Sequence, residues 1–297
     1  MSTSSAEPHR QPPRRHSGPR RAFFKAFEHL AARLGGRAFY RHFFLGPGRF
    51  EVRHECVPCA RPELAGLRIV QLSDLHAGSF LGTGDLAHVV AAIQALAPDL
   101  IVFTGDLIAR RTEEALFVLD DLAQLECRGG VLAVFGNHDY RGRREGELVH
   151  AFGAHGIRFL RNEGRHPLPG LPLFVLGVED LEEARDLDVR PARAALVEGD
   201  FELILCHNPH GVAALLGPHT GLCLSGHAHG NQIDLPLLRR IGPGHPGDRL
   251  ELVGPRGAAP LITSRGLGVV GLPLRVRARP DIVCVELVAP TRGAEPR

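Results

Sequence analysis

The chain has 297 residues, of which 44% are apolar, enough for one large α/β domain or two small ones. Its formal net charge is +2. Residues 1–55 hold eleven Arg and Lys against four Glu, so the rest is acidic by about five charges, the opposite of a nucleic-acid-binding domain. No run of 18 uninterrupted apolar residues is present, which excludes a transmembrane helix of ordinary length. Six cysteines are too sparse in a chain of this size for a secreted disulfide framework.

In chain order, residues 1–20 are rich in Ser, Pro and Arg and read as a disordered basic tail. Arg14-Arg15 and Arg20-Arg21 look like a twin-arginine signal, but Lys25, Glu28, Arg33, Arg37 and Arg41 interrupt the apolar stretch beyond them, so export is not expected. Residues 21–60 form a Phe- and Arg-rich amphipathic segment. Phe23, Phe27, Leu30 and Leu34 fall on one helical face, and Phe39/Phe43 and Tyr40/Phe44 repeat at i, i+4 after Gly35-Gly36. Two readings stay open for residues 21–50: a peripheral membrane-binding arm, or a helix docked on the main domain with its Phe residues in the core. The first would place the protein in the cytoplasm, peripheral at the inner membrane. Cys56-Val57-Pro58-Cys59 lacks the second pair a zinc ribbon needs and reads as a surface loop.

The main domain is expected over residues 61–290. Leu67–Leu72, Leu100–Phe103 and Val131–Phe135 read as buried strands, with helices at Asp85–Leu96 and Glu113–Leu125 between them. This β-α-β-α-β order indicates an α/β sheet whose site lies along the carboxyl edge. The second half supplies further strands at Ile157–Leu160, Leu173–Val178, Glu202–Leu205, Leu222–Leu224, Leu261–Thr263 and Ile282–Leu287, and a short helix at Val212–Leu216. Residues 242–260 read as a Gly/Pro-rich loop, and Gly293 onwards as a frayed tail.

Five short motifs carry the chemistry: Asp74-Leu75-His76, Gly105-Asp106, Gly136-Asn137-His138-Asp139, Cys206-His207 and Gly226-His227-Ala228-His229. Any one alone is an ordinary turn, but all five together, most of them just after an apolar run, imply one bimetal site. Asp74 and His76, two apart at a strand end, can face one ion. Asp106 has two oxygens and can bridge two cations. Asn137 offers a neutral oxygen, and His207, His227 and His229 offer imidazole nitrogens. This thiolate-free donor set suits Mn²⁺, Fe or Zn²⁺, with Mg²⁺ a further option. His138 need not be a ligand and suits proton donation to the transition state, with Asp139 orienting its ring.

On these motifs, from about Leu67 to Leu287, the sequence resembles the calcineurin-like metallophosphoesterase superfamily. Leu72-Ser73-Asp74-Leu75-His76, Leu224-Ser225-Gly226-His227-Ala228-His229-Gly230 and Ser264-Arg265-Gly266-Leu267-Gly268 resemble its bacterial branch of membrane-associated phosphodiesterases, which includes enzymes that cleave UDP-2,3-diacylglucosamine. The resemblance implies an α/β fold, a four-layer αββα sandwich with two mixed β-sheets. It implies two divalent metal ions, Mn²⁺ foremost, the first held by Asp74, His76, Asp106 and His229 and the second by Asp106, Asn137, His207 and His227. His138 is then the catalytic histidine. One departure is Asn231 where the branch has a second Gly, with Gln232 kept; Asn tolerates the left-handed turn.

The leading functional expectation is a dinuclear phosphodiesterase or pyrophosphatase acting on a lipid- or nucleotide-linked phosphate ester, with no nucleic-acid partner. A soluble phosphodiesterase or phosphoprotein phosphatase is the alternative, and a non-catalytic metal-stabilised scaffold is a third. Arg265 is weighed between a substrate-phosphate contact and a salt bridge.

Overall fold

A computed structural model describes residues 18–183, 188–235, 250–254 and 259–290. The expected tail therefore lies outside the described residues up to position 17, as do 242–249, 255–258 and the segment from Gly293.

Two six-stranded mixed sheets face each other. The first has the order β1(Glu51–Pro58), β12(Asp281–Val288), β2(Arg68–Leu72), β3(Leu100–Thr104), β4(Val131–Val134), β5(Ile157–Phe159). The second runs β10(Leu250–Val253), β11(Ala259–Thr263), β9(Thr220–Ser225), β8(Phe201–Leu205), β7(Leu173–Gly177), β6(Glu163–Arg165). In the first sheet only the β12–β2 pairing is antiparallel; in the second only the two edge pairings, β10–β11 and β6–β7, are.

The period-two alternation of β3 shows why the strands stack this way. Leu100 and Val102 enter the core between the sheets with Leu203, Leu205, Leu222, Leu224 and Val283. Ile101 and Phe103 point the other way, into a core shared with α3(Ala87–Ala95), α4(Leu116–Leu122) and α5(Glu145–Gly153). The outer face of the second sheet buries Phe174, Leu176, Ile204 and Cys223 against Val212 and Leu215. Among the described residues this outer layer is built of 3₁₀ turns, Pro191–Arg193 and Pro209–Ala214, rather than α-helices.

Several elements differ from expectation. The helix foreseen over Glu113–Leu125 is a 3₁₀ turn at Thr112–Ala115 followed by the short α4. Strands β1, β6 and β10 and helix α5 were not foreseen. β1 and β6 are only partly buried and carry few apolar residues, so they lack the pattern that marks a strand. β10 occupies part of the expected loop 242–260. Cys56 lies within β1 and is exposed, whereas Cys59 is buried, so this pair is not a surface loop; all six cysteines are free thiols.

The N-terminal segment is built onto the main body. α1(Gly18–Arg33) begins inside the stretch expected to be disordered, and Gly35, at φ 89°, turns the chain into α2(Gly36–Tyr40) and a π-turn at Arg41–Leu45. Tyr40 and Leu45 are fully buried in the helix-side core, and β1 pairs in parallel with β12. Two polar residues of the segment, Glu28 and Arg37, reach the main body. Glu28 is buried, accepts from Ser79 Oγ at 2.8 Å and pairs with Arg110. Arg37 donates to Asp85 Oδ2 and to the Thr83 carbonyl, each at 2.7 Å. Outward-facing apolar residues include Leu34, 78% exposed, Leu30, 53%, Phe43, 46%, and Phe39, 42%. The segment is thus both docked and apolar on its outer side. No helix among the described residues is long and apolar enough to cross a membrane.

Candidate metal centre

Every expected site residue lies beyond the carboxyl end of a parallel strand: Asp74 and His76 after β2, Asp106 after β3, Asn137 to Asp139 after β4, His207 after β8, and His227 and His229 after β9. Gln71, buried between the sheets, ties these ends together by donating to Thr104 Oγ1 at 2.9 Å and to the Ser225 carbonyl at 2.8 Å. The two half-sites, one on each sheet, are thereby held in register.

Asp74, His76 and His229 each place one donor atom within 4.8 Å of the others; so do His76, Asp106 and His138, and Asp74, Asp106 and His207. The Nε2 atoms of His76 and His229 are 2.9 Å apart. His227 joins the cluster through Nδ1, 3.3 Å from His207 Nε2. The structure therefore brings all five motifs to one place.

The backbone is unusual where the donors sit. Asp74 (φ 51°), His76 (46°), Asp106 (56°), His227 (70°) and His229 (52°) all occupy the left-handed region, which costs a non-glycine residue about 1 kcal/mol or more. Five such residues in one cluster mark a site whose surroundings enforce geometry against local preference. Close approach adds to this: a Cβ on Gly136 would collide with the Asp106 carboxylate, so only glycine fits there. Asn231 takes φ 64°, as expected for the turn after the last histidine.

Ring orientations are set by hydrogen bonds. His207 Nδ1 is 2.7 Å from the Thr104 carbonyl, an acceptor only, so Nδ1 carries a proton and the Nε2 edge faces the cluster. His138 Nδ1 is likewise 2.9 Å from the Ala109 carbonyl, which turns its Nε2 edge inwards. Arg141 Nη1 also lies 3.0 Å from His138 Nδ1, but a protonated Nδ1 cannot accept from it, so the guanidinium is a charged neighbour there.

The electrostatics are those of a dense buried array. Burial raises Asp74 and Asp106, but the surrounding imidazoles outweigh it and hold both carboxylates well below their usual range. Burial lowers His207, but Asp106, Asp74 and Asp180 raise it well above normal. Burial dominates at His138, with His76 and Arg141 adding to it against the pull of Asp106, so His138 is held neutral.

The donors fit divalent cations. Asn137 Oδ1 is buried without a hydrogen-bond partner, and so is His76 Nδ1. An orphaned buried carbonyl is costly unless something takes up its lone pairs. Together with carboxylate and imidazole donors, this is the chemistry of a hard-to-borderline metal site.

Two expectations are corrected. Asp139 does not orient His138. Its Oδ2 accepts from the amides of Asp106 and Gly136, both at 2.9 Å, and its Oδ1 from those of Leu107 at 2.8 Å and Ile108 at 3.1 Å. It staples the Asp106 loop to the Gly136 turn. Burial and the Asp106 carboxylate push it up to about 7. Arg265 is no phosphate contact of the cluster: it is buried, with Nε 3.2 Å from Asp281 Oδ2 and Nη2 2.6 Å from Glu51 Oε2.

Sequence reading missed several neighbours. Ser73 Oγ donates to Asp74 Oδ2 at 2.5 Å, and only its place beside the Asp hinted at this. Glu182 Oε1 lies 4.0 Å from His227 Nε2 and accepts from Asn208 Nδ2 at 3.0 Å. Asp180, fully buried, has an Oδ2 without a partner. These acidic residues sit in a loop after β7, where no motif marks them.

Comparisons with known proteins agree with this geometry. Residues 67–231 match the model of the calcineurin-like phosphoesterase family. The chain is 32% identical over 228 residues to the uncharacterized metallophosphoesterase YkuE of Bacillus subtilis, covering 75% of this chain and 79% of that protein. It is 28% identical over 275 residues to the phosphodiesterase YaeI of Escherichia coli, covering 91% and 99%. Among solved structures it is similar to the Haemophilus influenzae NAD nucleotidase, with a TM-score of 0.45 and 15% identity over 68% of this chain and 45% of that one. The chain belongs to the calcineurin-like phosphoesterase family and is a phosphoester hydrolase with clusters suited to divalent metal ions.

Proposed function

We propose that this protein is a dinuclear-metal phosphodiesterase or pyrophosphatase that acts at a membrane surface on a lipid- or nucleotide-linked ester such as UDP-2,3-diacylglucosamine. The observation that supports the hydrolytic part is the convergence of Asp74, His76, Asp106, His207, His227 and His229, five of them at strained positive φ, with Asn137 Oδ1 buried and unpartnered in the third of the site's loops. Asp74, His76, Asp106 and His229 hold one ion, Asp106, Asn137, His207 and His227 the other, with Mn²⁺ the first candidate. Two such ions, when bound, lower the pKa of a water and neutralise charge on the phosphate oxygens.

The chain's own residues do the rest. His138 presents Nε2 to the cluster while the Ala109 carbonyl fixes its ring. It is neutral at rest with its proton on Nδ1; an arriving phosphate anion favours uptake of a second proton from solvent at Nε2, and that proton is the one it gives to the leaving oxygen. Asp139 holds the two loops that carry Asp106 and His138 at fixed spacing.

The membrane part rests on the outward face of the N-terminal segment. Leu30, Leu34, Phe39 and Phe43 are exposed and interspersed with Arg33 and Arg41, a pattern that suits an anionic lipid surface. The segment also borders the site, because its Glu28 pairs with Arg110, the residue after Ala109. This reading places the protein in the cytoplasm, peripheral at the inner membrane.

The test compares UDP-2,3-diacylglucosamine with bis-p-nitrophenyl phosphate in detergent micelles with Mn²⁺ added. Strong preference for the lipid nucleotide is expected. Turnover of the generic diester alone would overturn the lipid substrate and leave a soluble phosphodiesterase.

A further inference from the structure

Two residues outside the family-matched region join the N-terminal segment to the metal cluster. Tyr40, at the end of α2, is fully buried; its hydroxyl donates to the Leu267 carbonyl at 2.7 Å and accepts from Arg275 Nε at 3.1 Å. Arg275 is also buried, and its guanidinium reaches four further carbonyls. Nη1 donates to Arg265 O at 2.8 Å, Ala278 O at 3.2 Å and His229 O at 3.4 Å, while Nε donates to Gly268 O at 3.1 Å. The strap 265–268 gripped in this way grips in turn the loop after β2. Leu267 N donates to Ser73 O at 3.1 Å and Gly268 N to Asp74 O at 2.7 Å.

The arrangement is a strut. One end is the hydroxyl of a tyrosine on the N-terminal segment. The other ends are the backbones of Asp74 and His229, two of the three residues in the Asp74, His76, His229 cluster. Both residues sit at strained positive φ, so their placement depends on outside support. His207, by contrast, is oriented by the Thr104 carbonyl, and the His227 amide meets Asp74 at its carboxylate, 3.1 Å from Oδ1, rather than at the backbone the strut grips. Arg275 Nη2 also lies 3.4 Å from His229 Nδ1, but a histidine that gives Nε2 to a metal carries its proton on Nδ1, so the carbonyl contacts are the ones that position it.

We infer that Tyr40 and Arg275 are positioning residues for the first metal ion, and that the docking of the N-terminal segment thereby sets the affinity of that ion while leaving the second to its own supports. The inference rests on the two-metal reading above.

The test titrates Mn²⁺ into the full-length metal-stripped protein and into Tyr40→Phe, following bound metal by electron paramagnetic resonance. Tyr40→Phe keeps the ring and deletes only the hydroxyl; Arg275→Lys repeats the test if the first variant fails to fold. Losing an outer support of this kind weakens metal binding by about tenfold or more, so one of the two sites in Tyr40→Phe is expected to weaken by that factor while the other stays within about twofold. In a His207→Ala background, which removes a ligand of the second site, the remaining site should show the same loss. Unchanged affinity at both sites, even with a lowered Tm, would overturn the inference and leave Tyr40 a packing residue; equal weakening of both would overturn it too. An unmodified protein that binds no metal would overturn the two-metal reading itself.

Discussion

The backbone amide of His138 donates to Asp106 Oδ1 at 2.7 Å. The carboxylate proposed to bridge two ions and the imidazole proposed to donate a proton are thus locked together through main chain, independently of the His138 ring. The two functions are therefore separable by mutation. His138→Ala keeps that amide and should retain two metals per chain while losing about 10²–10⁴-fold in turnover, the usual contribution of a positioned acid–base group. Metal analysis beside kcat on bis-p-nitrophenyl phosphate checks this, and unchanged kcat would remove His138 from catalysis.

Asp106→Ala should fail differently. It deletes the one shared donor and the acceptor of the His138 amide, so both metals should be lost together. Metal analysis of the purified variant decides the matter: a retained stoichiometry of two contradicts the bridging role.

Asp180, which is not a proposed metal ligand but whose charge acts on His207, offers a pH test. Burial pushes its carboxyl from 3.8 to about 6. A carboxyl raised in the fold is more readily protonated there than in the unfolded chain, so its stabilising effect is fully present below about 4 and lost as pH rises through about 6. The difference corresponds to about 3 kcal/mol. Asp180→Asn keeps an Oδ1 for the amides of Glu182 and Glu183, at 2.9 and 3.1 Å, and removes the charge. With a chelator present, urea unfolding at about pH 7.5 should show the variant more stable by up to that amount, and the advantage should vanish near about pH 4. A variant equally stable across this range would mean that Asp180 is ionised without cost.

The outer face of the N-terminal segment can be tested without touching the core. Leu30→Ser and Phe43→Ser alter exposed side chains, so Tm should change by little. Each inserted apolar side chain contributes about 1.5–3 kcal/mol to burial, so the double variant should bind anionic vesicles at least about tenfold more weakly. Sedimentation with phosphatidylserine-containing vesicles is the readout, and undiminished binding would remove this face from membrane contact.

Much of the architecture was legible because buried parallel strands are short apolar runs that end in a polar residue. Val131 to Phe135 with Gly136-Asn137-His138 directly after it announces both a strand and a site. The donors were legible because metal ligation restricts residue types and the fold places them at strand ends. Less legible were elements whose stability comes from contacts distant in sequence. β1 carries no apolar run and exists because Arg53 reaches Asp281 at 3.1 Å and the strand pairs with β12. Asp139 looked like a partner for the adjacent histidine, yet backbone amides 31 to 33 residues away had the stronger claim on its oxygens. The Tyr40–Arg275 contact spans 235 residues and leaves no local trace. The N-terminal segment was ambiguous for a physical reason: a Phe-rich face suits a core or a lipid surface equally, and only the buried Glu28 and the Arg37–Asp85 ion pair show which side is docked.

The central claim is that hydrolysis depends on two divalent ions held by this cluster. The most direct measurement titrates Mn²⁺ into the metal-stripped protein while following bis-p-nitrophenyl phosphate hydrolysis and bound metal together. Activity should be absent in the stripped protein and rise to a plateau as the second equivalent binds. Turnover without metal, or a fully loaded protein inert towards both this diester and the lipid nucleotide, would contradict the account.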